Sequence, residues 1–175
     1  MNEYSRFELL CIGVRKSIRY HDHQERTYDM LHSWGRFLTL FFSGAAFVLF
    51  AKSHPALGSF CTLLTAAIAA AELALGWSKK ARMHNDLKRQ FCLLEVELCP
   101  LLETQPDVST VSALECQRLK IEADEPPVKR ALNMMCHNEL CVADNRLHDL
   151  YRIPAWMRFL APFCEFSGWK PTPAA

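Results

Sequence analysis

The sequence predicts an all-α protein: a two-span transmembrane helical hairpin, extended by a cytosolic antiparallel helix pair and followed by further C-terminal helices. Two observations lead there. Phe37 to Ala51 is fifteen residues without a charge, and Ala56 to Trp77 is twenty-two with one, Glu72. On the flanking segments the apolar positions recur by alternating threes and fours, the period of a helix seam. The apolar runs are joined only by Lys52-Ser53-His54-Pro55. Two helices with so short a link must lie antiparallel and touch.

Composition narrows the choice. Half of the 175 residues are hydrophobic, yet mean hydropathy is −0.03. Both a soluble helical bundle and a short membrane hairpin carrying polar helices fit those values. The length suits one domain, taken as residues 1–150, followed by an aromatic amphipathic segment and disordered tail over 151–175. A net charge of +1 argues against a broad nucleic-acid surface. The first ten residues carry charge through their apolar stretch, unlike a signal peptide. Neither a myristoylation glycine nor a CaaX ending is present. Eight cysteines (11, 61, 92, 99, 116, 136, 141 and 164) are scattered through helical patterns with no CxxC. They read as reduced thiols used as small core residues.

The first helix is expected over about 2–33, with Phe7, Cys11, Val14, Ile18, His21, Glu25 and Tyr28 along one seam. The polar stretch Arg19 to Arg26 reads as a solvated face. His21 and His23, two apart, point to different sides of a helix and make a poor metal pair. Trp34 and Arg36 then mark the start of the first span, about 37–51. The second span, about 56–77, ends at Trp77, Lys79, Lys80 and Arg82. Aromatic and cationic residues flanking apolar runs are interfacial anchors. Cations gather at the outer ends, with Lys52 alone at the turn, so both termini are placed in the cytoplasm.

If Ala51 faces Ala56, facing residue numbers sum to 107. Residue 35 is then level with Glu72, and an Arg36–Glu72 pair is expected at the cytosolic rim. The alternative is a Glu72 that snorkels unpaired into the headgroups. This register leaves about fifteen residues, about 22 Å, per helix in a hydrocarbon core of about 30 Å. Bilayer thinning, snorkelling or oligomerisation must relieve the mismatch. Gly58, Thr62, Thr65, Ala69, Glu72 and Gly76 form a small or polar stripe, as do Arg36, Thr39, Ser43 and Ala46. Such stripes either pack the hairpin or line a narrow polar path between several hairpins.

The second span is expected to run unbroken into a cytosolic helix over 78–103, with His84, Leu87, Phe91, Leu94, Leu98 and Leu101 as its seam. That seam matches the one on 2–33, so the two should pack together. Asp107 or Ser109 caps a helix over about 109–124. Pro126-Pro127 opens another over about 127–149, buried through Val128, Leu132, Met135, Ala143 and Leu147. Cys136-His137 with Cys141 lacks the second ligand pair of a structural zinc site and reads as helix core. In 154–163, Trp156, Phe159, Leu160 and Phe163 share a face, which either caps the bundle or lies on a membrane. The tail from Lys170 is expected to be disordered.

Three stretches together resemble a known family. They are Arg19-Tyr20-His21 with Arg26; Ser78 to Phe91 (SKKARMHNDLKRQF) with Leu94-Glu95; and Glu125-Pro126-Pro127 with Ala131-Leu132 and Cys136-His137-Asn138-Glu139-Leu140. The arrangement, over about residues 15–145, is similar to the SLATT family of bacterial two-span membrane proteins. That resemblance implies an inner-membrane effector that forms pores or perturbs the bilayer in nucleotide-linked conflict and antiphage defence. With no fused sensor read in this chain, it implies a trigger that comes from a sensor or nucleotide-making partner or acts on the cytosolic helices. It supplies no catalytic residues.

The chain has no nucleophile elbow, P-loop, HExxH or dinucleotide fingerprint. A non-enzymatic role without cofactor or metal is therefore expected. The leading expectation is a homo-oligomeric pore-forming or membrane-perturbing effector. The second is a membrane-anchored scaffold whose cytosolic helices recruit a partner. The third is a soluble bundle that buries 37–77 in its own core.

Overall fold

A computed structural model describes residues 5–104 and 106–173. It is mostly helical, and the chain separates into two compact units, Glu25–Met83 and Met1–Gln24 with His84–Ala175. The helices are α1 (Arg6–Ala51), α2 (Pro55–Leu75), α3 (Trp77–Leu98), α4 (Val108–Glu122), α5 (Arg130–Ala143) and α6 (Ala155–Leu160). Short 3-10 turns occupy Cys99–Leu101 and Leu147–Asp149.

In the Glu25–Met83 unit, α1 ends in a Schellman motif. Ser53 takes the left-handed conformation at φ 60°. The His54 N–H reaches back to the Leu49 carbonyl at 2.9 Å, and the Ser53 N–H to Phe50 at 3.1 Å. These are the 6→1 and 5→2 bonds that satisfy a helix's last carbonyls. Pro55 then opens α2, where its missing N–H costs nothing. The helices touch at both ends of the apolar stretch. Gly58 lies against the Phe50 ring, where a Cβ would come within 2.9 Å. Gly35 lies against Trp77 and Glu72, where a Cβ would sit at 3.2 and 3.6 Å.

Two helices, α1 and the one beginning at Pro55, are long and apolar enough to cross a membrane. Their most apolar windows are only 11% and 6% buried. Large side chains such as Leu40, Phe47, Leu63 and Leu73 point outward. The soluble bundle that hides 37–77 is thus corrected: the chain's own core does not cover these residues. Beyond Trp77 the helix runs on unbroken to Leu98, as expected, with a single irregularity just before it. Gly76 adopts φ 60°, ψ 41°, donates to the Glu72 carbonyl at 2.9 Å and closes α2 before α3 begins. Glycine takes that left-handed conformation without the strain that a side chain adds.

In the other unit, Leu10, Cys11 and Val14 of α1 pack with Phe91, Leu94 and Leu98 of α3 and Leu114 of α4. The matching seams therefore meet. Asp107 caps α4, its carboxylate accepting the Thr110 N–H at 3.2 Å. A second cluster joins Tyr20 to Ala131, Leu132 and Cys136 of α5 and to Ile153, Met157 and Ala161 around α6.

Three expectations change here, and one that was open is narrowed. Pro126-Pro127 stays outside α5, which starts at Arg130 and stops at Ala143. Val128 and Leu147 consequently lie exposed outside the helix, and Ala131, Leu132, Cys136, Leu140 and Cys141 form the buried face. Asn145, at φ 56°, ends α5 with another Schellman motif: Arg146 N–H to Cys141 carbonyl at 2.7 Å, Asn145 N–H to Val142 at 3.2 Å. The 154–163 segment docks through Met157 and Ala161, so Trp156, Phe159 and Phe163 face outward. Its tail is partly ordered, Thr172–Pro173 pairing antiparallel with Tyr151–Arg152; residues 174–175 lie outside the described range. Finally, only Cys11, Cys136 and Cys141 are buried, while Cys92, Cys99, Cys116 and Cys164 are exposed.

Candidate functional site

The Glu25–Met83 unit contains a groove of about 760 Å³. Arg36, Thr39 and Leu40 of α1 form one wall, and Ala69, Glu72 and Leu73 of α2 the other. Gly76, Ser78, Lys79 and Arg82 close the end nearest the start of α3. The seam that builds it follows helix geometry. Along α2 the less exposed line runs Gly58, Cys61, Thr65, Ile68 and Glu72. Thr62 and Ala69, both in the predicted stripe, therefore flank the contact line and are exposed.

Glu72 is engaged by His32, whose Nδ1 contacts its carboxylate, with both side chains about one-quarter exposed. The expected Arg36–Glu72 pair is corrected. Residue 35 does sit level with Glu72, as the turn register requires. On that face, however, the neighbours of Gly35 in helical phase are His32 and Thr39, and Arg36 lies rotated to the exposed flank. Among the described residues, Arg36, Lys79 and Arg82 have no ion-pair partner. The groove thus holds three cations without an ion-pair partner and one carboxylate, and is net positive.

The hydroxyls on the spans are spoken for within their own helices. Thr39 donates to the Gly35 carbonyl at 2.9 Å, Thr62 to Gly58 at 3.0 Å and Thr65 to Cys61 at 2.9 Å. This back-bonding lets a hydroxyl sit in apolar surroundings without a partner helix. Each oxygen keeps lone pairs that can accept. Of the residues expected to line a path or pack the hairpin, Arg36, Thr39, Ala69 and Glu72 meet in the groove, whereas Ser43, Thr62 and Thr65 lie outside it. Of the anchors, Lys79 and Arg82 line the groove. Trp77 packs on Gly35, Lys80 sits 5.6 Å from the Tyr28 ring centroid, and Trp34 borders a separate hollow with Met30, Ser33 and Phe37. Burial pushes the Tyr28 hydroxyl up.

The other unit carries two polar clusters that sequence spacing could not reveal. His21, fully buried, places Nδ1 2.9 Å from His84 Nδ1 and Nε2 3.1 Å from Glu125, with Phe91 stacked on its ring. Because the carboxylate accepts, His21 Nε2 carries a proton, and a single proton bridges the two Nδ1 atoms. Around the corner, His23 Nε2 meets Glu139 at 3.0 Å, and their ligand atoms lie within 4.8 Å of Cys136 Sγ. These three donor types suit zinc, but they are one short of a closed structural site. Burial also pushes the Cys136 thiol up to about 12, opposing the thiolate a metal needs. His137, held down by burial, turns instead to the Asp149 carbonyl at 3.1 Å. No protein family, curated protein or solved structure matches the chain, so the groove and these clusters stand on their geometry alone.

Proposed function

We propose that this protein is an integral two-span membrane effector, its hairpin in the inner membrane with both termini cytoplasmic, which self-associates in the bilayer to form a pore or perturb the membrane. The observation that carries this reading is the outward display of apolar side chains along α1 and α2. In water so large a continuous apolar surface is unfavourable by about 25 cal/mol per Å². Lipid removes that cost. Groove cations at one end and Lys52 alone at the other support the orientation.

Self-association follows from the same features. The charge-free part of α1 is about 22 Å long against a core of about 30 Å, a mismatch that favours helix association or local thinning. Thinning the bilayer is itself a route to leakage. Exposed Ser43 and Thr62, with half-buried Thr65, give the hairpin's surface its few polar points for contact between copies. Expression should depolarise cells, and crosslinking in the membrane should yield oligomers. Thr62→Leu with Thr65→Leu should abolish depolarisation while membrane insertion persists. If depolarisation is absent or the double variant is as active as the parent, the pore reading fails.

The second reading, a membrane-anchored scaffold, draws on one specific observation. Trp156, Phe159 and Phe163 are exposed on a segment docked by its opposite face, a pattern suited to a partner protein. On that reading, deleting 107–175 removes function without changing conductance. The identity of the triggering partner, whether a sensor or a nucleotide-making enzyme, belongs to the proposal as well.

A further inference from the structure

We infer that the groove between α1, α2 and the first turn of α3 binds the headgroup of one anionic phospholipid from the cytoplasmic leaflet. The inference rests on the membrane reading above and adds a ligand to it.

Charge selects the ligand's sign. Arg36, Lys79 and Arg82 line the groove, and among the described residues none has an ion-pair partner. The groove's one carboxylate, Glu72, contacts His32 and leaves the three cations in excess. Three cations against one carboxylate leave the groove net positive, and a phosphate relieves that excess by accepting from two guanidinium groups and an ammonium. Ser78 and Lys79 lie in the first turn of α3, where the helix dipole also favours an anion. Basic pockets at the cytoplasmic ends of transmembrane helices take anionic headgroups for these reasons.

Shape and polarity select a lipid over a free anion. The volume, about 760 Å³, suits a headgroup with its glycerol. Leu40 and Leu73 form the remaining wall and are 74% and 87% exposed. A phosphate in solution has no use for that wall, whereas an acyl chain descending from a bound headgroup covers it. Bound lipid would also fill the space between α1 and α2 at the rim, which the protein itself leaves open.

Native mass spectrometry of the full chain, exchanged into nanodiscs of phosphatidylcholine with or without phosphatidylglycerol, tests this. The expected result is one retained phosphatidylglycerol per chain and no retained phosphatidylcholine. Lys79→Gln and Arg82→Gln should each weaken retention about fivefold, and adding Arg36→Gln to both about a hundredfold. Lys80→Gln removes a neighbouring charge outside the groove and should change retention by less than about twofold. Equal retention of both lipids overturns the inference. So does a Lys80→Gln effect as large as that of Lys79→Gln, which would mean diffuse attraction to the membrane surface. Displacement by inorganic phosphate at low concentration would assign the groove to a free anion and likewise overturn it. Carbonate extraction run alongside separates the two ideas. A wild-type chain that leaves the membrane defeats the functional reading, and this one with it. A chain that stays but shows no lipid preference defeats this one alone.

Discussion

Glu72 is the residue where sequence and geometry come closest and then part. The turn register set position 35 level with it, and the carboxylate does lie against Gly35. The partner was misread because Arg36 is the nearest cation in sequence, while helical phase brings His32 to that face. His32→Leu should leave the carboxylate half-buried and unmatched, costing about 1–3 kcal/mol of thermal stability in detergent. Adding Glu72→Gln should recover most of that loss; no recovery would mean His32 acts through packing. At Asp107, hydrogen bonds from Ser109 and Thr110 hold the carboxyl down to about 2, below its ordinary 3.8. The cap therefore contributes fully above pH 3.8 and is lost as pH falls through about 2. Hydrogen exchange at the Thr110 amide should accelerate across that window, and Asp107→Asn should shift it. The cysteines were legible as free thiols but not as core or surface, since small residues sit on either side of a seam. At about pH 8, alkylation should modify Cys99, Cys116 and Cys164 rapidly in the folded chain and spare Cys136, whose thiol burial pushes to about 12.

Among elements, long periodic helices were the most readable. The seam from His84 to Leu101 lies against the first helix as its spacing required, with Phe91 fully buried. Phe91→Ala removes that ring and its stack on His21 and should cost about 3–5 kcal/mol, measured by denaturant unfolding of the unit that holds it. Helix ends were less readable, because caps depend on single backbone angles. Ser53 holds a left-handed position where glycine is unstrained. Ser53→Gly should therefore raise stability by about 1 kcal/mol, and Ser53→Val should lower it. Pro126-Pro127 looked like a helix start, yet α5 begins at Arg130. Lys129 ties its N–H to the Tyr20 hydroxyl at 3.0 Å, a long-range contact that no local pattern announces. The shared aromatic face of 154–163 was legible, but whether it turns inward or outward was left open. Docking of Met157 and Ala161 decides which face the core takes.

For the whole molecule, a mostly helical architecture and two apolar helices follow directly from hydropathy and period. The polar clusters did not, since His21–His84–Glu125 joins residues distant in sequence through tertiary packing. The groove was visible only as separate anchors and stripe residues. Its assembly depends on Gly76 ending α2, which brings Ser78, Lys79 and Arg82 beside Glu72. The most direct test of the account is the behaviour of the purified full chain when detergent is withdrawn. The account predicts aggregation in plain buffer and recovery of a defined species only in detergent or nanodiscs, with the chain resisting carbonate extraction from cells. A monodisperse, detergent-free protein in plain buffer would contradict it.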